Sequence, residues 1–461
     1  MGVYQCRRGR TINLVEPLLY YTLMNAPLVH VLVINWNGLD HLEACFSTLL
    51  QSTYANVRFV LIDNGSTDDS VAFVRDHFGS DARVEIIEAG ENLGWSGGNN
   101  MGIRHAMDAG ADYVFLLNND TATAADAIAK LVEAAELDDG VGALAPKMVL
   151  FDAPDIINSV GVECSIIGNG WDRGLGRLDQ PKWNRAGEVL GVCGGAMFIR
   201  RAALTRAGLL PEDFGIYLDD LDLSMRIWNA GFTIRSCPEA CVRHKFSATM
   251  GEGARARQKY YLNTRNRFRL VLRNFPTRHA PMVVLSLIHG EVKAVGRAIL
   301  DREIWRVPAH VRAWCSAIVY IPSAVWERLQ RKASGIGRCR FWDMIRRDAL
   351  YFRGAEFPDD GWYAERDIAG TRLRPMAGRA RAEITGSSVQ IAHGNAYPEC
   401  GDTAVVLLRE GEEPITLATS SLDKVCVERV TGVLEFVSEK IFDADETGEL
   451  ADYGGWLRVE S

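Results

Sequence analysis

The chain has 461 residues, too many for one hydrophobic core, so two or three domains are expected. A formal charge of −8 argues against a nucleic-acid binder, and no nucleic-acid partner is expected. The charge is uneven: 17 Lys and Arg against 6 Asp and Glu between Arg265 and Asp348 read as a basic surface, and 5 against 14 between Gly401 and Ser461 as an acidic, solvated domain. Ten cysteines lack paired metal spacing, and Cys237 and Cys241 have no second pair, so a reduced cytosolic chain is the default. Arg7, Arg8 and Arg10 precede a segment broken by Asn13, Glu16 and Asn25, a poor signal peptide. No run reaches about 18 uninterrupted apolar residues, so no transmembrane helix is predicted. Residues 1–26 read as an N-terminal arm.

In chain order, Leu28 to Ile34 predicts a strand closed by Asn35-Trp36-Asn37-Gly38, followed by a helical pattern from about Leu39 to Gln51. Val57 to Ile62 predicts the next strand, closed by Asp63-Asn64-Gly65-Ser66-Thr67-Asp68-Asp69-Ser70. A helix to Phe78 and a strand from Val84 to Glu88 follow. Strands alternating with helices imply βαβ units and a mainly parallel sheet, whose ligands bind at the carboxyl ends of the strands. Asp63 stands at such an end, where an acceptor carboxylate suits a base or ribose donor; Ser66 and Asp68 could equally cap the next helix.

Asn92-Leu93-Gly94-Trp95-Ser96-Gly97-Gly98-Asn99-Asn100 opens the third helix with three glycines. It resembles a phosphate-cradling loop but matches neither the P-loop nor the dinucleotide spacing. Tyr113-Val114-Phe115-Leu116-Leu117 reads as a buried strand, and Asn118, Asn119 and Asp120 follow with no spacer. They would present hard oxygens to a metal or phosphate, or Asp120 or Thr121 would simply cap a helix from Ala124 to Leu137.

Val141 to Ala145 predicts a further strand, and the aperiodic, glycine-rich stretch from Phe151 to Arg185 a lid or surface excursion. Gly194 and Gly195 fall inside the apolar run Val189 to Arg201, which marks a bulge, a close ligand or close packing. In Tyr217-Leu218-Asp219-Asp220-Leu221-Asp222, helical spacing of Leu221, Met225 and Trp228 predicts a helix from about Asp220 to Asn229. Asp219 and Asp220 then share its first turn, where mutual repulsion opposed by the helix dipole leaves one plausible general base. Asp222, four residues before Arg226, is expected to form a surface pair. Gly231 to Arg235 predicts a return strand, and Ala240 to Lys245 brings His244 after an apolar pair; with Asp120 it would give a divalent metal two protein ligands.

The ordered motifs VINWNG, IDNGSTDDS, ENLGWSGGNN, LLNNDT, CGGAMFIRR and YLDDLDLSMR resemble glycosyltransferase family 2, in its bacterial rhamnosyltransferase-like branch, over about Val29 to Pro276. The resemblance implies an α/β GT-A fold, a nucleotide-diphospho-sugar donor (dTDP- or UDP-linked, with rhamnose the branch's sugar), a divalent metal (Mg or Mn) and an inverting single displacement. It puts Asn118-Asn119-Asp120 at the family's Asp-x-Asp position, so Asp120 is the dependable metal ligand and Asn118 contacts ribose or a bridging water. His244 matches the downstream metal histidine. Asp220 matches the catalytic acid, and Asp219 replaces the usual glutamate. Nucleotide-sugar contacts are then expected from Asn35, Asn37, Asp63, Ser66, Asn92, Gly97, Asn99, Asn118, Asn119, Gly194 and Gly195. The implied acceptor is a glycan or lipid-linked saccharide in cell-surface polysaccharide synthesis.

The expected domains are thus an arm at 1–26, a catalytic domain at 27–276, a helical basic segment at 277–354 and a β-sandwich at 355–461. Arg265, Arg267, Arg269 and Arg273 lie among Tyr261, Phe268, Leu270 and Leu272. With the helical, tryptophan-bearing pattern that follows, they suit either peripheral contact with the inner face of the plasma membrane or packing on the catalytic domain with arginines solvated. Beyond Gly361-Trp362-Tyr363, Val389 to His393, Ala404 to Leu408, Lys424 to Val430 and Gly432 to Val437 predict sandwich strands for glycan recognition or assembly. Oligomerisation is left open. The rival readings are a non-catalytic glycan-binding protein on a degenerate transferase fold and, more weakly, a nucleotidyltransferase or dehydrogenase.

Overall fold

The structure is a computed structural model that describes residues 26–245, 254–333 and 340–347, and beyond them the backbone of nine strands between Arg366 and Glu460. The predicted N-terminal arm and the Gly361-Trp362-Tyr363 stretch lie outside the described residues. The chain divides into two compact units, one of Met1–Phe151, Val160–Arg173 and Ala186–Phe352, the other of Asp152–Ser159, Gly174–Arg185 and Arg353–Ser461.

The first unit is built on a mixed sheet. Its strands are β1 (Val29–Asn35), β2 (Val57–Asp63), β3 (Val84–Glu88), β4 (Tyr113–Asn118), β5 (Thr121–Thr123), β6 (Val141–Leu150), β10 (Ala196–Arg200) and β11 (Thr233–His244). They lie in the order β3-β2-β1-β4-β10-β6-β11-β5. The strands β3, β2, β1 and β4 are parallel, β10 runs against both neighbours, β11 is parallel to β6, and β5 is antiparallel to β11. Between β6 and β10, β7 (Ile157–Ser159) belongs to the second unit, and β8 (Val162–Cys164) pairs with β9 (Gly170–Asp172) as a hairpin. The stretch expected to be aperiodic therefore carries short strands.

All seven residues of β1 are buried, because helices cover both faces of the sheet. Val29, Val31 and Val33 join one core with Phe46 and Leu49 of α1 (Leu39–Leu50), Val74 of α2 (Ser70–Phe78) and Ile128 and Leu131 of α4 (Ala127–Glu136). Leu32 faces the other core, with Ile103 and Ala106 of α3 (Gly94–Asp108), Leu204 of α5 (Arg201–Ala207) and Leu221 and Met225 of α6 (Asp219–Asn229). The period-two alternation of one strand thus feeds two cores.

Three long helices complete this unit: α7 (Ala254–Asn274), α8 (Ala280–Leu300) and α9 (Arg306–Ala333). Of the four arginines read from sequence on α7, Arg267 is buried and Arg265, Arg269 and Arg273 are half-buried, so none is fully solvated. Arg267 is 3% exposed and pairs with buried Glu291 of α8, which also accepts from His310 Nδ1 at 2.8 Å and Trp314 Nε1 at 2.7 Å. Arg269 and Arg273 turn to Asp213 and Asp222. The Asp222–Arg226 pair is likewise buried, not at the surface: Asp222 is 0% exposed, 2.7 Å from Arg226 and 2.6 Å from Asn274. Burial opposes its ionisation, but the charges of Arg226 and Arg273 win, and its carboxyl stays below the ordinary range.

In the second unit, the C-terminal strands form a five-stranded and a four-stranded antiparallel sheet. The four runs read from sequence fall on Ser388–Gly394, Thr403–Leu408, Val425–Glu428 and Thr431–Ser438.

Candidate functional site

The carboxyl ends of β1, β2 and β4 come level: Asn35 pairs in register with Asp63, and Ile34 with Asn118. Their loops are laced together. Asn35 Nδ2 and the Asn37 amide both donate to Ser66 Oγ, at 3.1 and 3.0 Å; the Thr67 amide donates to Asn37 Oδ1, and the Ser66 amide to Asp63 Oδ2 at 3.1 Å. The other carboxylate oxygen of Asp63 is buried and accepts no hydrogen bond among the described residues, which leaves an acceptor for a ligand donor. Asn119 Nδ2 donates to Asn35 Oδ1 at 2.6 Å, so this amide braces β1 against β4.

The glycine-rich stretch is helix α3, and its glycines are packing positions. A Cβ on Gly97 would meet Leu93, and one on Gly98 would meet Ile34 at 2.8 Å. Asn92 Oδ1 receives the Gly94 amide at 2.8 Å, and Asn99 Nδ2 donates to Trp95 O at 3.0 Å. The same helix contributes two side chains to the site that sequence reasoning did not single out. Trp95 Nε1 donates to Asn118 Oδ1 at 3.3 Å, and Ser96 Oγ donates to Asp219 Oδ2 at 2.6 Å.

Asp120 does not cap a helix. Residues 121–123 instead form β5, antiparallel to the end of β11, with Thr121 opposite His244. That register brings His244 Nε2 within 3.2 Å of Asp120 Oδ1, both residues at most 9% exposed. A buried carboxylate and an imidazole sharing one point are donors that suit a divalent cation, so the residues present fit the metal expected from sequence. The one group of three ligand-type side chains among the described residues, His30, Glu85 and His105, stands near the amino end of β1. Five residues of strand, roughly 17 Å, separate His30 from Asn35, so that group is not part of this crevice.

Asp219 and Asp220 open α6 after a strained approach. Tyr217 and Leu218 both hold left-handed backbone, φ 73° and 64°, which non-glycine residues rarely adopt. A clamp from α7 holds them: Nδ2 of fully buried Asn266 donates to the carbonyls of Phe214, Ile216 and Tyr217 at 3.1, 2.9 and 2.9 Å. Asp220 Oδ2 accepts the Gly194 amide at 2.8 Å. Gly194 and Gly195 sit in the turn that leads into β10, not inside a strand. A Cβ on Gly194 would strike the Trp95 ring, and one on Gly195 would lie 3.6 Å from both Asn118 and His244.

Burial pushes the Asp219 carboxyl up, reinforced by the neighbouring Asp220 charge. Burial also raises Asp220, with Asp172 of the β8–β9 hairpin adding repulsion and the Gly194 amide opposing it. Asp219 is 3% exposed, whereas Asp220 is partly open. Both line a pocket of about 320 Å³ with Trp95, Asn118, Asp172, Gly194 and His244, and Asn263 of α7 completes its wall. The arrangement sets the Asp219–Asp220 carboxyls and the His244 imidazole, itself paired with Asp120, on one cavity.

Residues 30–206 match the family model for glycosyl transferase family 2. The match ends before Asp219, Asp220 and His244. An N-acetylglucosaminyl-diphospho-decaprenol L-rhamnosyltransferase of Mycobacterium tuberculosis is 28% identical over 246 residues, 48% of this chain and 77% of that protein. A low-salt glycan biosynthesis hexosyltransferase of Haloferax volcanii is 24% identical over 243 residues, 52% of this chain and 73% of that one. Among solved structures, a mannosyltransferase from Pyrobaculum calidifontis in complex with GDP-Man and Mn2+ aligns with a TM-score of 0.41 and 18% identity, over 71% of this chain and 90% of that one.

Proposed function

Since the chain belongs to glycosyl transferase family 2 and is a glycosyltransferase, we propose that it moves a sugar, rhamnose being the first candidate, from a dTDP- or UDP-linked donor to a lipid-linked or glycan acceptor by an inverting single displacement. The observation that carries this reading is one pocket lined by Asp219, Asp220, Asn118 and His244, with Asp120 directly behind His244. The mycobacterial relative's name, with its decaprenol-linked acceptor and L-rhamnose, supports the choice of sugar and of a lipid-linked acceptor.

Asp63 would take a donor from the base through its open carboxylate oxygen, and Asn35, Asn37 and Ser66 hold the loops that frame it. Gly194 and Gly195 line the pocket where the donor sugar would lie, and the missing side chains let Trp95 and Met148 pack against their backbone. Asp120 and His244 would hold Mg or Mn, which when bound neutralises charge on the leaving nucleoside diphosphate. Asp220, the partly open carboxylate, accepts the acceptor hydroxyl's proton as that oxygen bonds to the anomeric carbon and the bond to the diphosphate breaks. Burial and the charge of Asp172 raise the basicity of Asp220, whose own charge in turn raises buried Asp219. The C-terminal strands would form an accessory sandwich for glycan recognition.

The test is calorimetry of the full chain against a panel of nucleotide-sugars, with and without chelator, followed by transfer to a polyprenyl-diphospho-saccharide. Chelator-sensitive binding of one nucleotide class and product formation are expected. Binding of glycan without any nucleotide would instead identify a non-catalytic glycan-binding protein.

A further inference from the structure

The two helices α8 and α9 carry an exposure pattern that the rest of the unit lacks. Of the twenty large apolar side chains exposed among the described residues, sixteen fall between Met282 and Leu329. Leu285, Ile288 and Val292 recur at helical spacing on α8, and Ile318, Val325 and Trp326 on α9, each more than 45% exposed. A soluble surface rarely shows so many large apolar side chains on two successive helices without a partner. Exposed charge on the same segment has one sign: Arg278, Lys293, Arg297, Arg302 and Arg312 against Asp301 alone. Its other acids, Glu291, Glu303 and Glu327, are turned inward or paired. No helix among the described residues is long and apolar enough to cross a membrane, so the pattern is one of lying on a surface.

We propose that the α8–α9 face is a platform that lies in the headgroup region of an anionic membrane, apolar side chains down and lysine and arginine at the rim. The proposal deepens the lipid-linked reading of the acceptor. Cationic rims match anionic lipid headgroups, whereas a second copy of the same face would set like charges against each other. The platform is joined to the chemistry by α7. Asn263 of that helix lines the pocket, Asn266 clamps the loop before Asp219, and Arg267 pairs with Glu291 on the platform's inner side.

The experiment is co-sedimentation of the full chain with vesicles of phosphatidylcholine alone or enriched in phosphatidylglycerol, with light scattering of the lipid-free protein. The parent chain should sediment with the anionic vesicles and be released by salt. Ile288→Asp and Ile318→Asp should each weaken that binding by about tenfold. Both variants should keep the parent's circular dichroism and nucleoside-diphosphate binding, which separates a failed platform from a failed transferase reading. Equal partition onto both vesicle types, no partition at all, or a lipid-free dimer that either substitution dissolves would each overturn the proposal.

Discussion

At the scale of single residues, the pocket is lined by two carboxyls whose ionisation is suppressed. Their raised pKa values mean that the base form is lost as pH falls through a range above that of an ordinary aspartate. The acid limb of the transfer rate is therefore expected nearer neutrality than about pH 4. Ser96→Ala removes a hydrogen bond that favours the Asp219 carboxylate, so it should move the titration of Asp219 to higher pH, read from its side-chain carboxyl resonance. Asp220→Asn should lower turnover by roughly 100- to 10,000-fold while nucleotide binding, read by calorimetry, persists. The stability sign runs the other way. A carboxyl raised in the fold stabilises it when protonated, and that contribution disappears as pH rises through the folded value. Asp219→Asn should thus melt above the parent at about pH 8 and approach it toward about pH 4.

At the scale of elements, the two parts of the chemistry are held by devices of different legibility. The strands and their polar ends could be read directly, because a buried parallel strand is a continuous apolar run and its last residue faces the crevice. The three-residue β5 could not. It is too short to show a period, yet its pairing with β11 is what sets Asp120 beside His244. Asn266 was equally hidden, since one amide in an arginine-rich helix carries no local signal of the three carbonyls it meets from a loop about 50 residues away. Asp222 and Arg226 were read as a surface pair because i,i+4 spacing reports proximity and not depth; tertiary packing of α7 decided the depth. Two expectations follow. Asn266→Ala leaves the Ile216 and Tyr217 carbonyls without this donor and frees the left-handed turn, so kcat should fall while stability, read from the midpoint in urea, drops by about 1–3 kcal/mol. Asp222→Ala strands buried Arg226 and should cost about 3–5 kcal/mol in the same measurement.

At the scale of the whole molecule, the pocket and the platform share one support. The helix α7 runs 21 residues, roughly 31 Å, and its contacts to the loop before Asp219 and to Glu291 are charged or amide hydrogen bonds with buried partners. A strut of this kind does not stretch. With the platform resting on lipid, the reacting hydroxyl must therefore stand at a set height above the bilayer, and acceptors become sorted by the length of their saccharide stem as well as by its chemistry. Polyprenyl-linked acceptors of one, two and three sugars, presented in vesicles, should then differ in kcat/KM far more than the same saccharides released into detergent-free solution. The α7 strut would in this way act as a gauge for chain length, and the enzyme would add its sugar at one step of a growing glycan.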